Sequence, residues 1–284
     1  MSIVSRVSAR AQREVSRRTK RLAQSLRGDK GPQRLLFVTG CQRSGTSMTY
    51  KTFDKDRDAA VYDEVSELSS GDPVEKLRWN PLGDVNAKIA ANPARLIVTK
   101  PLVESQRLST LLEHFNQSRA LWMYRHYNDV VSSNLKRFGS RNGHDDIAPI
   151  FANEQNNWRA ELLSNEVRET ILNFRQADLS DEDAAALFWY ARNSLLFSQG
   201  LDDDPRVRLV SYEALVNSPA ELMREIYRFI DTPYPGDHIV SWMSTSSIGK
   251  GQTVSLSHDV ALICNNMMDK LKKSQQINQV STSP

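Results

Sequence analysis

A short apolar run, Leu35-Leu36-Phe37-Val38-Thr39, leads straight into Gly40-Cys41-Gln42-Arg43-Ser44-Gly45-Thr46-Ser47, and a helical pattern follows from Thr46 to Phe53. No other feature of the chain narrows its possible folds as much. An apolar run without polar alternation suits a parallel strand covered on both faces. The glycines permit a tight turn, and the free N–H groups at the helix start point toward an anion. The glycine spacing matches the nucleoside-triphosphatase loop, GxxxxGK followed by Ser or Thr. Here, however, Thr46 stands where that loop has its lysine, and the cation is Arg43, inside the loop. A later strand ends in Arg125, not in the aspartate that would hold magnesium. A metal-dependent kinase or ATPase is therefore disfavoured, and no metal is expected.

Further strand patterns lie at 96–99, 121–124 and 207–210, and Ala60-Val61-Tyr62 returns the chain from the loop helix to the sheet edge. Helical patterns separate them at 105–115, 128–136, 182–198 and 219–230. The last opens on Ser218-Pro219-Ala220-Glu221, a capping box with proline at the first helical position. Strands alternating with helices predict an α/β fold, a central parallel sheet with helices on both faces. At 284 residues the chain can bury roughly 70–75% of its unfolded surface. One domain over 34–273 is expected, with a polar helical insertion at 139–180 over the active-site edge. A flexible tail rich in Ser, Gln and Asn should follow over 274–284.

Charge sets the first 33 residues apart. Residues 1–34 carry a local charge of +8, against +3 for the whole chain, so the remainder is −5. Val4, Val7, Ala11, Val15, Leu22 and Leu26 recur at helical intervals among the arginines. This predicts a basic amphipathic helix, either docked on an anionic membrane surface or a partner, or simply solvated beside its own domain. A mildly acidic body disfavours a dedicated nucleic-acid binder. No apolar run approaches a membrane span, the start lacks a secretory core, and Cys41 and Cys264 are too few for a disulfide scaffold. A reducing cytoplasm is the expected location, with peripheral membrane contact possible through the arm. The five histidines show no metal-site spacing with the cysteines.

Gln42-Arg43-Ser44-Gly45-Thr46-Ser47 resembles the loop with which sulfotransferases grip the 5′-phosphosulfate of 3′-phosphoadenosine 5′-phosphosulfate (PAPS). The family's second signature is an arginine after a strand and a serine eight residues later, both on the 3′-phosphate. Arg125 and Ser133 fit it, with Ser132 about a quarter-turn away. Leu209-Val210-Ser211-Tyr212-Glu213-Ala214-Leu215 and the Ser218-Pro219 helix start are similar to a late family segment. Gly249-Lys250-Gly251 resembles the loop that closes on the 3′-phosphate, with one cation fewer. The resemblance implies that Gln42, Arg43, Ser44, Gly45, Thr46, Ser47, Arg125, Ser133, Lys250 and Gly251 bind PAPS as co-substrate. By the same resemblance, a glutamate after the loop helix would be the base, Glu64 first and Glu67 in reserve. Lys100 would touch sulfuryl or acceptor. Met48 replaces the tryptophan that flanks adenine in cytosolic members, leaving Trp79, Trp122, Trp158, Trp189 or Trp242 as stacking candidates. The acceptor stays open among small molecules, carbohydrates, lipids and peptides. The competing readings are a nucleotide-dependent phosphotransferase and a non-catalytic nucleotide-binding membrane adaptor.

Overall fold

The computed structural model describes residues 18–26, 31–69, 77–243 and 254–280. Five strands form one all-parallel sheet: β1 (Arg34–Gly40), β2 (Ala59–Tyr62), β3 (Leu96–Thr99), β4 (Ser118–Tyr124) and β5 (Val207–Ser211). Their spatial order is β2-β3-β1-β4-β5. Side chains alternate between two cores. Leu35, Phe37, Ile97, Ala120, Trp122, Val207 and Leu209 pack on one face, and Leu36, Val38, Leu96, Val98, Leu121, Met123 and Val210 pack on the other. Both faces are apolar because helices cover both, which is why the strands read as continuous apolar runs.

The second face is closed by α2 (Thr46–Phe53), α9 (Tyr212–Asn217) and α10 (Pro219–Phe229), through residues such as Phe53, Leu215, Met223 and Tyr227. The first face is closed by α3 (Leu82–Ala90), α4 (Leu108–His114), α5 (Tyr127–Phe138), α8 (Asp181–Ser198) and α11 (His258–Val280). The insertion contributes α6 (Asn142–Phe151) and α7 (Asn165–Leu172), both packed on α8. α8 starts under favourable local chemistry: Ser180 accepts from the Asp183 amide, and Asp181, Glu182 and Asp183 complement the helix dipole.

Three local expectations change. The Ser218 hydroxyl makes no capping bond to α10: Ser218 also terminates α9, and its φ of −134° and ψ of 59° depart from the extended backbone a capping residue uses. The pattern at 105–115 divides into a 3₁₀ turn, Leu102–Arg107, and α4. Beyond Ser274 the chain stays helical to Val280, and Tyr124 donates its hydroxyl to Gln275. Within the arm, residues 18–25 form a helix, α1. It lies along edge strand β2, where Gln24 donates to the carbonyls of Arg57 and Ala59. Covering an exposed edge in this way blocks strand-to-strand aggregation. The rest of the basic pattern in 1–17 lies outside the described residues. Among the described residues no helix is long and apolar enough to cross a membrane.

Candidate active site

The sheet order lines up the strand ends. Across the carboxyl edge come Asp63 and Glu64 after β2, Lys100 after β3, the glycine loop after β1, Arg125 after β4 and Tyr212 after β5. β1 sits where the chain stops adding strands on one side and begins on the other, the crevice in which open parallel sheets hold ligands.

The loop is shaped by contacts only glycine can make at two positions. Gly40 has φ +114°, and a Cβ there would overlap the Met123 carbonyl oxygen of the neighbouring strand. Gly45 has φ +90°, and a Cβ would lie 2.5 Å from the Tyr212 ring. Gly45 precedes α2 with no side chain capping the helix start. The first N–H groups of α2 are thereby left to an anion. Arg43 is itself left-handed at φ +66°, a strained conformation that turns its side chain out of the loop. Ser44 is buried, with a hydroxyl that finds no partner among the described residues. Gln42 donates to Asp146 of α6 at 3.4 Å. Asp146 in turn accepts from Arg159 at 2.7 Å and Asn142 at 2.7 Å, so the insertion holds one side of the loop.

The two expected anion-binding groups meet directly. Arg43 donates through Nε and a terminal nitrogen to the Ser133 hydroxyl, at 3.0 and 2.9 Å. Burial lowers the Arg43 pKa, and the nearby Arg137 and Arg125 charges lower it further. Three arginines drawn this close together favour an anionic ligand. Arg125 is buried, pairs with Asp129 at 3.0 Å and lies 4.2 Å from the centre of the Tyr212 ring. Tyr212 therefore touches both the Gly45 turn and Arg125. His126 caps α5, its Nδ1 accepting from the Asn128 amide at 3.3 Å. Burial lowers its pKa, which keeps it a neutral acceptor.

On the other side of the loop, Lys100 gathers three acceptors around one ammonium. Nζ lies 2.8 Å from Asp63, 3.3 Å from Glu64 and 3.1 Å from the Ser47 hydroxyl of the loop. Burial raises the Glu64 pKa above the ordinary glutamate range, Lys100 opposes the rise and Asp63 reinforces it. A carboxylate whose proton affinity burial raises, and which a cation keeps ionisable, can accept a proton. Glu67 turns its carboxylate to the Tyr62 hydroxyl, whose pKa burial raises and Glu67 raises further. Lys250 and Gly251 lie outside the described residues.

Four supporting residues were not singled out for their partners in the sequence: Asp63, Asp129, Asp146 and Tyr212. Only Asp129 carried a local signal, four residues after Arg125 on a helix. Trp122 and Trp189 are sealed in the core, while Trp79 and Trp158 pack edge-on against Phe115 and Phe188. Both cysteines are free and buried, and burial pushes the Cys41 thiol up to about 12. That leaves Cys41 inert as a nucleophile.

The sulfotransferase domain family matches residues 33–278. No curated protein matches the chain in sequence. Among solved structures, the sulfotransferase domain from the curacin biosynthetic pathway is 13% identical, with a TM-score of 0.49 over 84% of this chain and 99% of that one. A sulfotransferase from Alicyclobacillus acidocaldarius is 11% identical, with a TM-score of 0.46 over 87% and 94%. A mouse sulfotransferase solved with PAP is 12% identical, with a TM-score of 0.41 over 90% of each chain.

Proposed function

Because the chain belongs to the sulfotransferase family, matched over residues 33–278, we propose that it moves a sulfuryl group from PAPS to an acceptor hydroxyl or amine without a metal. The observation that carries this reading is Lys100, whose ammonium joins the loop, through Ser47, to the candidate base Glu64 within 3.3 Å. The residues at the sheet edge suit such a donor: an uncapped helix start, an orphaned Ser44 hydroxyl and Arg43 for its phosphosulfate, with Arg125 and Ser133 for its 3′-phosphate. PAPS supplies an activated sulfuryl group on a good leaving phosphate.

The chain's own residues then have separable tasks. The α2 amides, Gln42, Thr46 and Ser47 hold the phosphosulfate end, while Arg43 neutralises charge that grows on the departing phosphate oxygen. Arg125 offers its planar fork to the 3′-phosphate, exchanging part of its pairing with Asp129. Its stacking on Tyr212 keeps it aimed during that exchange. Lys100 keeps Glu64 ionisable despite burial and faces the sulfuryl oxygens. As the acceptor oxygen–sulfur bond forms and the sulfur–phosphate oxygen bond breaks, Glu64 takes the acceptor proton and the electron pair leaves on the phosphate. Positioning and charge stabilisation supply most of the rate, as in phosphoryl transfer.

The test is turnover of PAPS in excess chelator, followed by release of adenosine 3′,5′-bisphosphate, with wild type, Glu64→Gln and Glu67→Gln. Glu64→Gln should lower turnover by about 10²–10⁴-fold and leave nucleotide affinity within a few-fold. Glu67→Gln should turn over nearly normally. Activity lost in chelator and restored by magnesium would favour phosphotransfer, and an active Glu64→Gln would remove Glu64 as the base.

A further inference from the structure

We propose that α1 docks the protein on a membrane surface rich in anionic lipid. A helix packed on its own domain turns apolar residues inward and polar residues outward. α1 does the reverse. Its buried residue is Gln24, whose amide donates to the Arg57 carbonyl at 2.7 Å and the Ala59 carbonyl at 3.4 Å. Lys20 adds a bond to the Asp54 carbonyl at 3.2 Å. Leu22 and Leu26, one turn apart, are 62% and 78% exposed. Polar side chains thus fasten α1 to the sheet edge, and its leucines are presented outward.

The surroundings extend this face. A cavity of about 370 Å³ separates α1 from the segment after β2, lined by Arg18, Lys20 and Arg21 on one wall and by Asp63 and Val65 on the other. Val65 is 63% exposed, a third apolar side chain on the same edge. Arg18 and Arg21 are exposed beside the leucines.

Charge selects the occupant. Residues 1–34 carry +8 and the remainder −5. An anionic bilayer attracts the arm and repels the body, which fixes an orientation as well as an attachment. Leucines flanked by arginines match the acyl boundary and headgroups of such a surface. A second copy fits less well, since a two-fold interface would set the basic arm against its own like charge. This inference is independent of the transfer reaction.

Sedimentation of the full chain with vesicles tests it. Vesicles of phosphatidylcholine with roughly one-third phosphatidylserine should carry the protein down, and pure phosphatidylcholine vesicles should not. The double variant Leu22→Asn, Leu26→Asn should partition at least about tenfold more weakly. Its melting temperature should stay within a few degrees of wild type, because the Gln24 and Lys20 bonds remain. Raising salt from about 0.1 M to several-fold higher should weaken wild-type binding. Equal binding by the double variant, or no wild-type binding to anionic vesicles, overturns the proposal. A dimer that the double variant dissolves would also overturn it, assigning the face to a second copy.

Discussion

Replacing Lys100 with methionine keeps the side-chain length and removes the charge that three groups share. The ammonium has three N–H donors, and Asp63, Glu64 and Ser47 take one each at 2.8, 3.3 and 3.1 Å. A fully buried pair broken on one side costs about 3–5 kcal/mol. Here Asp63 is 48% exposed and Glu64 26%, and water would rescue much of the loss. About 2 kcal/mol of stability is therefore expected, or roughly 4–8 °C in melting temperature. The loss should depend on pH. Burial already raises the Glu64 pKa in the folded state. A raised carboxyl pKa contributes stability below the unfolded value, and that contribution disappears as pH rises through the folded value. Without Lys100 the folded value rises further, so Lys100→Met should be more destabilised at pH 8 than at pH 5. The acid limb of the pH–rate profile should move up for the same reason. Urea unfolding at both pH values and the rate profile together provide the assay. Equal destabilisation at both, with an unmoved acid limb, would show that Lys100 does not control Glu64.

Two further substitutions probe the scaffold. Gly45→Ala forces a Cβ into a left-handed position 2.5 Å from the Tyr212 ring that also carries Arg125. It should cost about 1–3 kcal/mol in denaturant unfolding and weaken adenosine 3′,5′-bisphosphate at least about tenfold in titration; wild-type affinity would refute the role of that turn. Tyr227→Phe removes the hydroxyl that donates to buried Asp56 at 2.8 Å. Thermal unfolding at neutral pH should show a loss of about 1–3 kcal/mol, and an unchanged melting temperature would mean that water replaces the bond.

The glycine loop and the strands are legible in the sequence because each is a local pattern. Leu35–Thr39 needs no partner to be read as buried, and two positive-φ glycines flanking a cation have few other uses. The supporting carboxylates are not legible in this way. Asp63 and Asp146 look like ordinary solvated acids until the fold brings Lys100 and Gln42 against them, across 37 and 104 positions of sequence. Tyr212 could be singled out only by resemblance, since its contact with Gly45 depends on β5 lying beyond β4. α11 was obscured by composition. Val260, Cys264, Met267 and Leu271 keep helical spacing and are buried, but the Ser, Gln and Asn beyond them suggest fraying. In α1, the described part of the arm, Leu22 and Leu26 face outward, because the bonds that seat it beside β2 come from Gln24 and Lys20.

The most direct test of the account is isothermal titration of the protein with adenosine 3′,5′-bisphosphate and, separately, with AMP. The two nucleotides differ at the 3′-phosphate, the group assigned to Arg125 and Ser133. Leaving a buried arginine without that partner should cost on the order of 2–4 kcal/mol, a preference of roughly 30- to 1,000-fold for the bisphosphate. Equal affinities would contradict the paired anion sites at this sheet edge and, with them, the assignment of PAPS as the donor.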